Sequence, residues 1–455
     1  MKKLVTLILT LALALSSLTV LARESEDANT AVEVLSVTAI AETLEEGQKL
    51  TALSIEYSEP FAAGAAVRGS FTVEDREVSK VYVNDSGEKG DVCASGRFII
   101  VELALSNTPG SSIGTTLFFG RMNDVDVKIN HRLPIDPLIV QTADLTAISG
   151  NVAVSQRLEV TQEVNVLADE FLPLSFTDPE TGIVVNYRLY VPEGYEEKSD
   201  SLENLPLILF LHGSGERGYN NISQLLANPS ALEWVRPEAQ AEHPCFVLAP
   251  QNPDVTVGWA ANIGTAENPN WATTDHLEAA KKIVDLTLEN YNIDASRIYG
   301  TGLSQGSKGI MRMSMNYPDL FAAQLNIAGC DEYTDEEVAV LADKPIWHLI
   351  AVDDQTNPSA NVRKLMEQLE AGGATIVRNV EEEGWNAWLR GEESAALAST
   401  LWEEAKEVGA NVLYTEYIAA TVVPNTHWSW MASYSNSVVR DWLFAQVNPS
   451  PYVPQ

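Results

Sequence analysis

The chain has 455 residues, more than one compact core usually accommodates, which implies two domains. A hydrophobic share of 45% with ordinary Gly and Pro content excludes collagen-like, coiled-coil and disordered classes. The formal charge of −34 disfavours nucleic acid and anionic membrane as partners, because both are held through Lys and Arg.

The N-terminus reads as a secretory signal over residues 1–22. Lys2 and Lys3 supply the positive start, a short apolar run follows from Leu4 to Leu15, and Val20-Leu21-Ala22 supplies a small-residue cleavage pattern. The run is short for a membrane span and no stop-transfer pattern follows it. The mature chain is therefore expected outside the cytoplasm, extracellular or periplasmic, with no membrane span. Cys93, Cys245 and Cys330 are too few, and odd in number, for a disulfide scaffold.

Residues 30–165 are β-rich. Segments 32–39, 50–57, 80–83 and 97–105 carry Val, Ile, Thr and aromatics, with turn clusters such as Asn84-Asp85-Ser86-Gly87 between them. Several short strands without a helical period suggest an all-β, immunoglobulin-like sandwich. From 168 to 450 the pattern changes. Apolar strand candidates at 187–191, 205–211, 246–249, 298–302, 322–328, 346–352 and 412–418 alternate with helical patterns at 273–291, 305–316, 358–371 and 433–444. That alternation predicts an α/β domain, a mainly parallel sheet flanked by helices. Residues 381–408, with Trp385, Trp388 and Trp402, break the rhythm and read as an insertion. It is either a helical hairpin packing its own aromatics or a lid over an active site.

The chemical signal is Gly302-Leu303-Ser304-Gln305-Gly306, a G-x-S-x-G pattern. It places a serine on a sharp strand-to-helix turn that pushes Oγ into the open. The chain contains the pattern twice; Gly110-Ser111-Ser112-Ile113-Gly114 lies in the β-rich part with no helix after it and reads as a loop. Ser304 has a strand before it and a helix after it. A serine hydroxyl needs a base, and in this arrangement the order along the chain is Ser, acid, His. Of the histidines after Ser304, His348 lies inside a predicted strand and His427 in the loop after the last one, so His427 is the candidate base. The acid should end the strand before it. Asp354 is favoured over Asp353, with Asp331 a remote third.

Acyl transfer also needs donors for the oxyanion. The amide of Gln305, after the nucleophile, is one. The loop His212-Gly213-Ser214-Gly215-Glu216-Arg217-Gly218 should supply the other, at Ser214 or alternatively Gly215. In that loop His212 reads as an organiser, and Glu216 with Arg217 as a structural ion pair. Trp259 and Trp271 are candidates to line a substrate pocket, with core packing the competing role. No HExxH or paired His/Cys spacing appears, so neither a metal nor another cofactor is expected.

Taken jointly these motifs resemble bacterial extracellular esterases with an N-terminal immunoglobulin-like domain and an α/β-hydrolase domain. These neighbour polyhydroxybutyrate depolymerases and feruloyl esterases and are often labelled predicted peptidases. The resemblance rests on residues 212–218, on Asp294-Ala295-Ser296-Arg297-Ile298-Tyr299 leading into the Ser304 elbow, on Thr415-Glu416-Tyr417, and on His427-Trp428-Ser429-Trp430 with Tyr434 and Asp441-Trp442-Leu443. It departs from the family at Ser307, where Gly is usual, at Asn357, where Val is usual after the acid, and at 381–408.

The expected function is that of a secreted serine carboxylic ester hydrolase working through an acyl-enzyme. A serine peptidase on the same triad and a surface-binding protein with a vestigial hydrolase domain are the competing readings. Plant cell-wall esters, polyesters and small esters all stay open as substrates. The β-rich domain has two candidate roles of its own, holding a polymer or mediating a homo-oligomer.

Overall fold

The computed structural model describes residues 31–106, 108, 111–121, 126–265, 270–380 and 383–454. The expected signal segment 1–22 lies outside the described residues.

The N-terminal part is an immunoglobulin-like β-sandwich. Its larger sheet has five strands in the spatial order Gln162–Asn165, Val34–Leu44, Gly47–Ala62, Ser95–Leu103 and Val78–Asn84. Facing it is a three-stranded sheet of Gln156–Leu158, Ile139–Gln141 and Phe71–Val73. Alternate residues turn inward, so that Val37, Leu53, Ile55, Phe61, Phe71, Ile99 and Ile139 form one apolar core. A separate hairpin, Leu117–Gly120 with Ile129–Arg132, projects from this part.

The C-terminal part is built on a nine-stranded sheet. Its strands are β1 (Leu172–Thr177), β2 (Val184–Tyr190), β3 (Leu205–Leu211), β4 (Phe246–Pro250), β5 (Ile293–Leu303), β6 (Ala323–Ile327), β7 (Ile346–Ala351), β8 (Ile376–Asn379) and β9 (Val412–Tyr417). They lie in the order β1-β2-β4-β3-β5-β6-β7-β9-β8. The β1–β2 and β2–β4 pairs are antiparallel and the remaining neighbours parallel. The principal helices are α1 (Asp275–Asn290), α2 (Gln305–Asn316), α3 (Ser359–Ala371), α4 (Glu392–Val408) and α5 (Ser437–Phe444).

Every residue of β3 is buried, because helices cover both faces of the sheet. The strand's period of two then divides its side chains. Ile208 and Phe210 join one core with Tyr299, Trp347 and Trp442, whereas Leu207, Leu209 and Leu211 join the other with Ile283 and Ile310.

Two strands escape a sequence reading. β1 holds Pro173 and is largely exposed at one edge, and β8 is four residues long at the other. The reading of 381–408 as a helical hairpin is corrected. Among the described residues this stretch carries a single helix, α4, which is the crossover between the parallel neighbours β8 and β9. Two of its aromatics are drawn toward the sheet: Trp385 is buried against Trp347 and Tyr417, and Trp402 is partly buried in the same core. The predicted helix at 433–444 is broken in two, Trp430–Tyr434 and α5. Asn436 caps the second piece by accepting from the Val438 and Val439 amides.

Trp347 anchors this end of the sheet. It is fully buried, edge-on to both Trp385 and Trp442, and its Nε1 donates to Thr415 Oγ1 at 3.0 Å. Replacing it by Ala should lower the stability of the C-terminal domain by about 3–5 kcal/mol in urea denaturation. A loss below about 1 kcal/mol would show that the surrounding shell does not depend on it.

Candidate active site

Ser304 joins β5 to α2 with φ 53° and ψ −116°, a strained conformation for a residue with a side chain. Glycines make it possible. A Cβ on Gly306 would lie 1.8 Å from the Leu211 carbonyl oxygen, and one on Gly302 2.6 Å from the Gly306 carbonyl carbon. Only bare backbone lets α2 start this close to β3 and β5.

The turn brings three of the sequence candidates together. His427 Nε2 lies 2.9 Å from Ser304 Oγ, and His427 Nδ1 lies 2.7 Å from Asp354 Oδ2. A carboxylate only accepts, so Nδ1 carries the proton and Nε2 is free to accept from the serine hydroxyl. Asp354 Oδ1 accepts the backbone amides of Thr356 at 2.8 Å and Asn357 at 2.9 Å, which fixes the carboxylate plane. Trp430 meets the imidazole edge-on at 5.1 Å. All three side chains are largely buried.

The remaining candidates lie elsewhere. Asp353 turns away, its Oδ2 accepting from the Ala420 amide, and Asp331 is paired with Lys308 at 2.9 Å. His348 is wholly buried in β7, and loss of solvent lowers its pKa to about 3, so it stays neutral. Trp259 is corrected from pocket wall to core: it is 0% exposed and its Nε1 donates to the His212 carbonyl at 3.0 Å. Trp271 is half-buried on the short hairpin of Ala260–Asn262 and Trp271–Thr273, with the Lys308 ammonium 5.7 Å from its ring centre.

Gln305 is the first residue of α2, where backbone N–H groups point outward unpaired. Ser214 opens a single 3₁₀ turn, Ser214–Glu216. His212 steadies that loop: Nδ1 lies 2.6 Å from the Gly213 carbonyl, and Nε2 accepts from the Asn252 amide at 2.9 Å. The expected Glu216–Arg217 pair is corrected. Arg217 turns back to the Ser214 carbonyl, while Glu216 turns inward toward Asn228 and His212. Glu216 is buried while Arg217 is only partly so, and each side chain takes the nearest partner on its own side.

Sequence reasoning passes over two further contributions. The departures at Ser307 and Asn357 converge on one dipeptide: Ser307 Oγ donates to the Gly329 carbonyl at 2.6 Å and Asn357 Nδ2 to the Ala328 carbonyl at 2.8 Å. The projecting N-terminal hairpin reaches the Ser214 loop, where Asn130 Nδ2 donates to the Gly215 carbonyl at 3.2 Å. The first is visible as a pair of unusual residues. The second has no local signal, because its partners are 85 residues apart.

A strand–serine–helix elbow, an imidazole and a carboxylate in the order Ser, Asp, His, on this sheet, define an α/β-hydrolase. The comparisons with known proteins carry this further. Residues 36–170 match the family described as "Esterase Ig-like N-terminal domain". A crystal structure of a thermostable esterase superposes with a TM-score of 0.75 at 32% identity, covering 91% of this chain and all (100%) of that one. The chain is 35% identical over 84 residues to acetylxylan esterase A of Emericella nidulans, and 32% identical over 133 residues to poly(3-hydroxyalkanoate) depolymerase C of Paucimonas lemoignei. Those matches span 18% and 28% of this chain, and only 27% and 28% of the two relatives. The chain belongs to the esterases that carry an immunoglobulin-like domain ahead of an α/β-hydrolase domain.

Glu216 is the electrostatic oddity of the site. Burial raises its pKa from 4.5 to about 7, and burial lowers that of His212 to about 4. Between pH 4.5 and 7 the folded chain therefore holds a proton on Glu216 that the unfolded chain has lost, so stability falls as pH rises. The contribution is on the order of 3 kcal/mol across that window. Glu216→Gln should remove it, so that the variant gains on the wild type in thermal unfolding from pH 5 to pH 8. Parallel stability–pH curves for the two proteins would refute a strained Glu216.

Proposed function

We propose that the protein is a secreted carboxylic ester hydrolase in which Ser304 is the nucleophile, His427 the general base and acid, and Asp354 the group that orients the imidazole. The observation that carries this reading is the unbroken relay Ser304 Oγ–His427 Nε2 at 2.9 Å and His427 Nδ1–Asp354 Oδ2 at 2.7 Å.

His427 Nε2 takes the hydroxyl proton as Ser304 Oγ bonds to the ester carbonyl carbon. The carbonyl becomes an oxyanion held by the amides of Gln305 and Ser214. The tetrahedral intermediate collapses, the C–O bond to the alcohol breaks, and His427 hands its proton to the departing alkoxide. Water, deprotonated by the same imidazole, attacks the acyl-enzyme; the carboxylic acid leaves and Ser304 regains its proton. Asp354 orients the imidazole and stabilises the imidazolium in both halves.

The substrate class we propose is an ester that belongs to a polymer, as a side group or in the backbone, since a polymer is named in both curated relatives, acetylxylan esterase and poly(3-hydroxyalkanoate) depolymerase. The signal-like residues 1–22 and the strong net negative charge support a role outside the cytoplasm. Among the described residues no helix is long and apolar enough to cross a membrane.

Hydrolysis of p-nitrophenyl acetate and butyrate tests the assignment. Ser304→Ala should lower kcat at least about 10³-fold, and Asp354→Asn about 10⁴-fold with the imidazole left in the wrong tautomer. Asp353→Asn should stay within a few-fold of wild type. An inactive wild type, a fully active Ser304→Ala enzyme, or a larger loss at Asp353 than at Asp354 would each overturn it.

A further inference from the structure

A cavity of about 400 Å³ lies where the two domains meet. None of Ser304, Asp354 and His427 lines it. Its walls include Glu45 and Lys49 from the N-terminal sandwich, Trp388 and Arg390 from the stretch before α4, and Thr421 and Trp428 from the segment that carries His427. The volume falls in the range of roughly 300–1,000 Å³ typical of small-molecule sites.

The lining has a distinct chemistry. Trp388, on the turn that Asn386 closes by accepting its amide at 2.9 Å, is 57% exposed. Trp428 is half-buried, so two indoles bound one space. The charged groups beside them are paired rather than massed. Arg390 meets Glu45 at 3.3 Å across the domain boundary, and Lys49 lies 3.8 Å from Glu46. Indole faces take the C–H face of a pyranose or furanose ring. Guanidinium donors and carboxylate acceptors together satisfy hydroxyls, which both donate and accept. Paired charges within a chain of net charge −34 leave no excess positive field for an anionic polymer.

The position is as informative as the lining. Trp428 packs on Trp430 with ring centres 6.3 Å apart, and Trp430 on the His427 imidazole at 5.1 Å. In ester hydrolysis His427 returns its proton to the alcohol, so the alcohol leaves on the imidazole side. Trp428, one wall of the cavity, is thus linked to the imidazole through a single intervening ring, Trp430.

We infer that the interdomain cavity is a binding site for a neutral saccharide, the sugar that forms the alcohol part of the ester. The inference rests on the proposed hydrolytic role only in naming the sugar as the leaving alcohol. The site itself follows from the aromatic walls and the paired charges. Trp388 would stack one ring, Arg390 and Glu45 would hold its hydroxyls, and the chain would continue from there toward the ester.

Unesterified sugars separate this claim from catalysis. Calorimetric titration of the full chain with xylohexaose, cellohexaose and mannohexaose should give saturable binding of at least one of them, and none of comparable strength with hexagalacturonate. Trp388→Ala should weaken that binding at least tenfold, Trp388→Phe should retain most of it, and Arg390→Ala should weaken it independently. Circular dichroism checks that each variant is folded. Absence of binding by all three neutral hexasaccharides, wild-type affinity in both Trp388→Ala and Arg390→Ala, or equally tight binding of hexagalacturonate would overturn the inference. Because no ester is present, an inactive wild type would defeat the hydrolase reading without altering this result.

Discussion

A non-glycine residue at φ 53°, ψ −116° costs on the order of 1–3 kcal/mol, and a chain keeps such a residue only where its surroundings leave it no alternative. Around Ser304 those surroundings are backbone. The Ser304 amide donates to the Ile327 carbonyl at 2.8 Å, which ties the elbow to the end of β6. Gly329 follows, and a Cβ there would lie 2.0 Å from the Ser304 carbonyl oxygen. With Gly306 against Leu211 on the other side, Ser304 is clamped between the ends of β3 and β6. Backbone moves less than side chains do, so the position of Oγ becomes a property of the sheet.

The same clamp explains how the Asp354 carboxylate comes to be in register with the His427 imidazole. Ala328, itself at φ 52°, donates its amide to Leu349 of β7, and Asp354 follows a few residues after that strand. The Ala328 and Gly329 carbonyls would be left unsatisfied in this tight bend, a cost of about 1–3 kcal/mol each when buried. Asn357 and Ser307 satisfy them, one from the acid loop and one from α2. Both single-residue departures are therefore hydrogen-bond donors to a single dipeptide, and together they tie the Asp354 loop to α2. Val at the first position and Gly at the second could not make those bonds.

What is legible in the sequence follows from range. The Ser304 elbow is encoded within five residues, and its strand and helix within residues 293–316, so periodicity and two glycines are enough to find it. His427 and Asp354 are distant in sequence, yet each lies in the loop that follows a buried strand, and strand ends on one edge of a parallel sheet converge. By contrast α4 reads as an insertion because the short edge strand β8 before it carries almost no apolar signal: Ile376 and Val377 are its only aliphatic residues. Without that strand a crossover helix has no partner in the pattern. Trp259 is ambiguous in sequence for a related reason. Its burial depends on Gly309, which leaves room for the indole: a Cβ on that glycine would lie 2.7 Å from the Trp259 Cβ.

The contact between the N-terminal hairpin and the Ser214 loop links the two domains where the chemistry is most sensitive to position. A Cβ on Gly215 would come within 3.0 Å of both Asn130 and Phe119, so the loop and the hairpin are already in close contact. Asn130 holds the Gly215 carbonyl while Arg217 holds that of Ser214. With consecutive carbonyls held, the two peptide planes that contain them have little freedom to rotate, and those planes carry the amides of Gly215, the alternative candidate donor, and Glu216. An oxyanion donor acts only if it is already aimed when charge develops, since reorientation during the reaction would consume the stabilisation it provides. The orientation of this loop is thus shared: His212 and Asn252 set it from within the hydrolase sheet, and Asn130 from the sandwich. The immunoglobulin-like domain is in that sense part of the scaffold of the site, although none of its residues belongs to the relay of Ser304, His427 and Asp354.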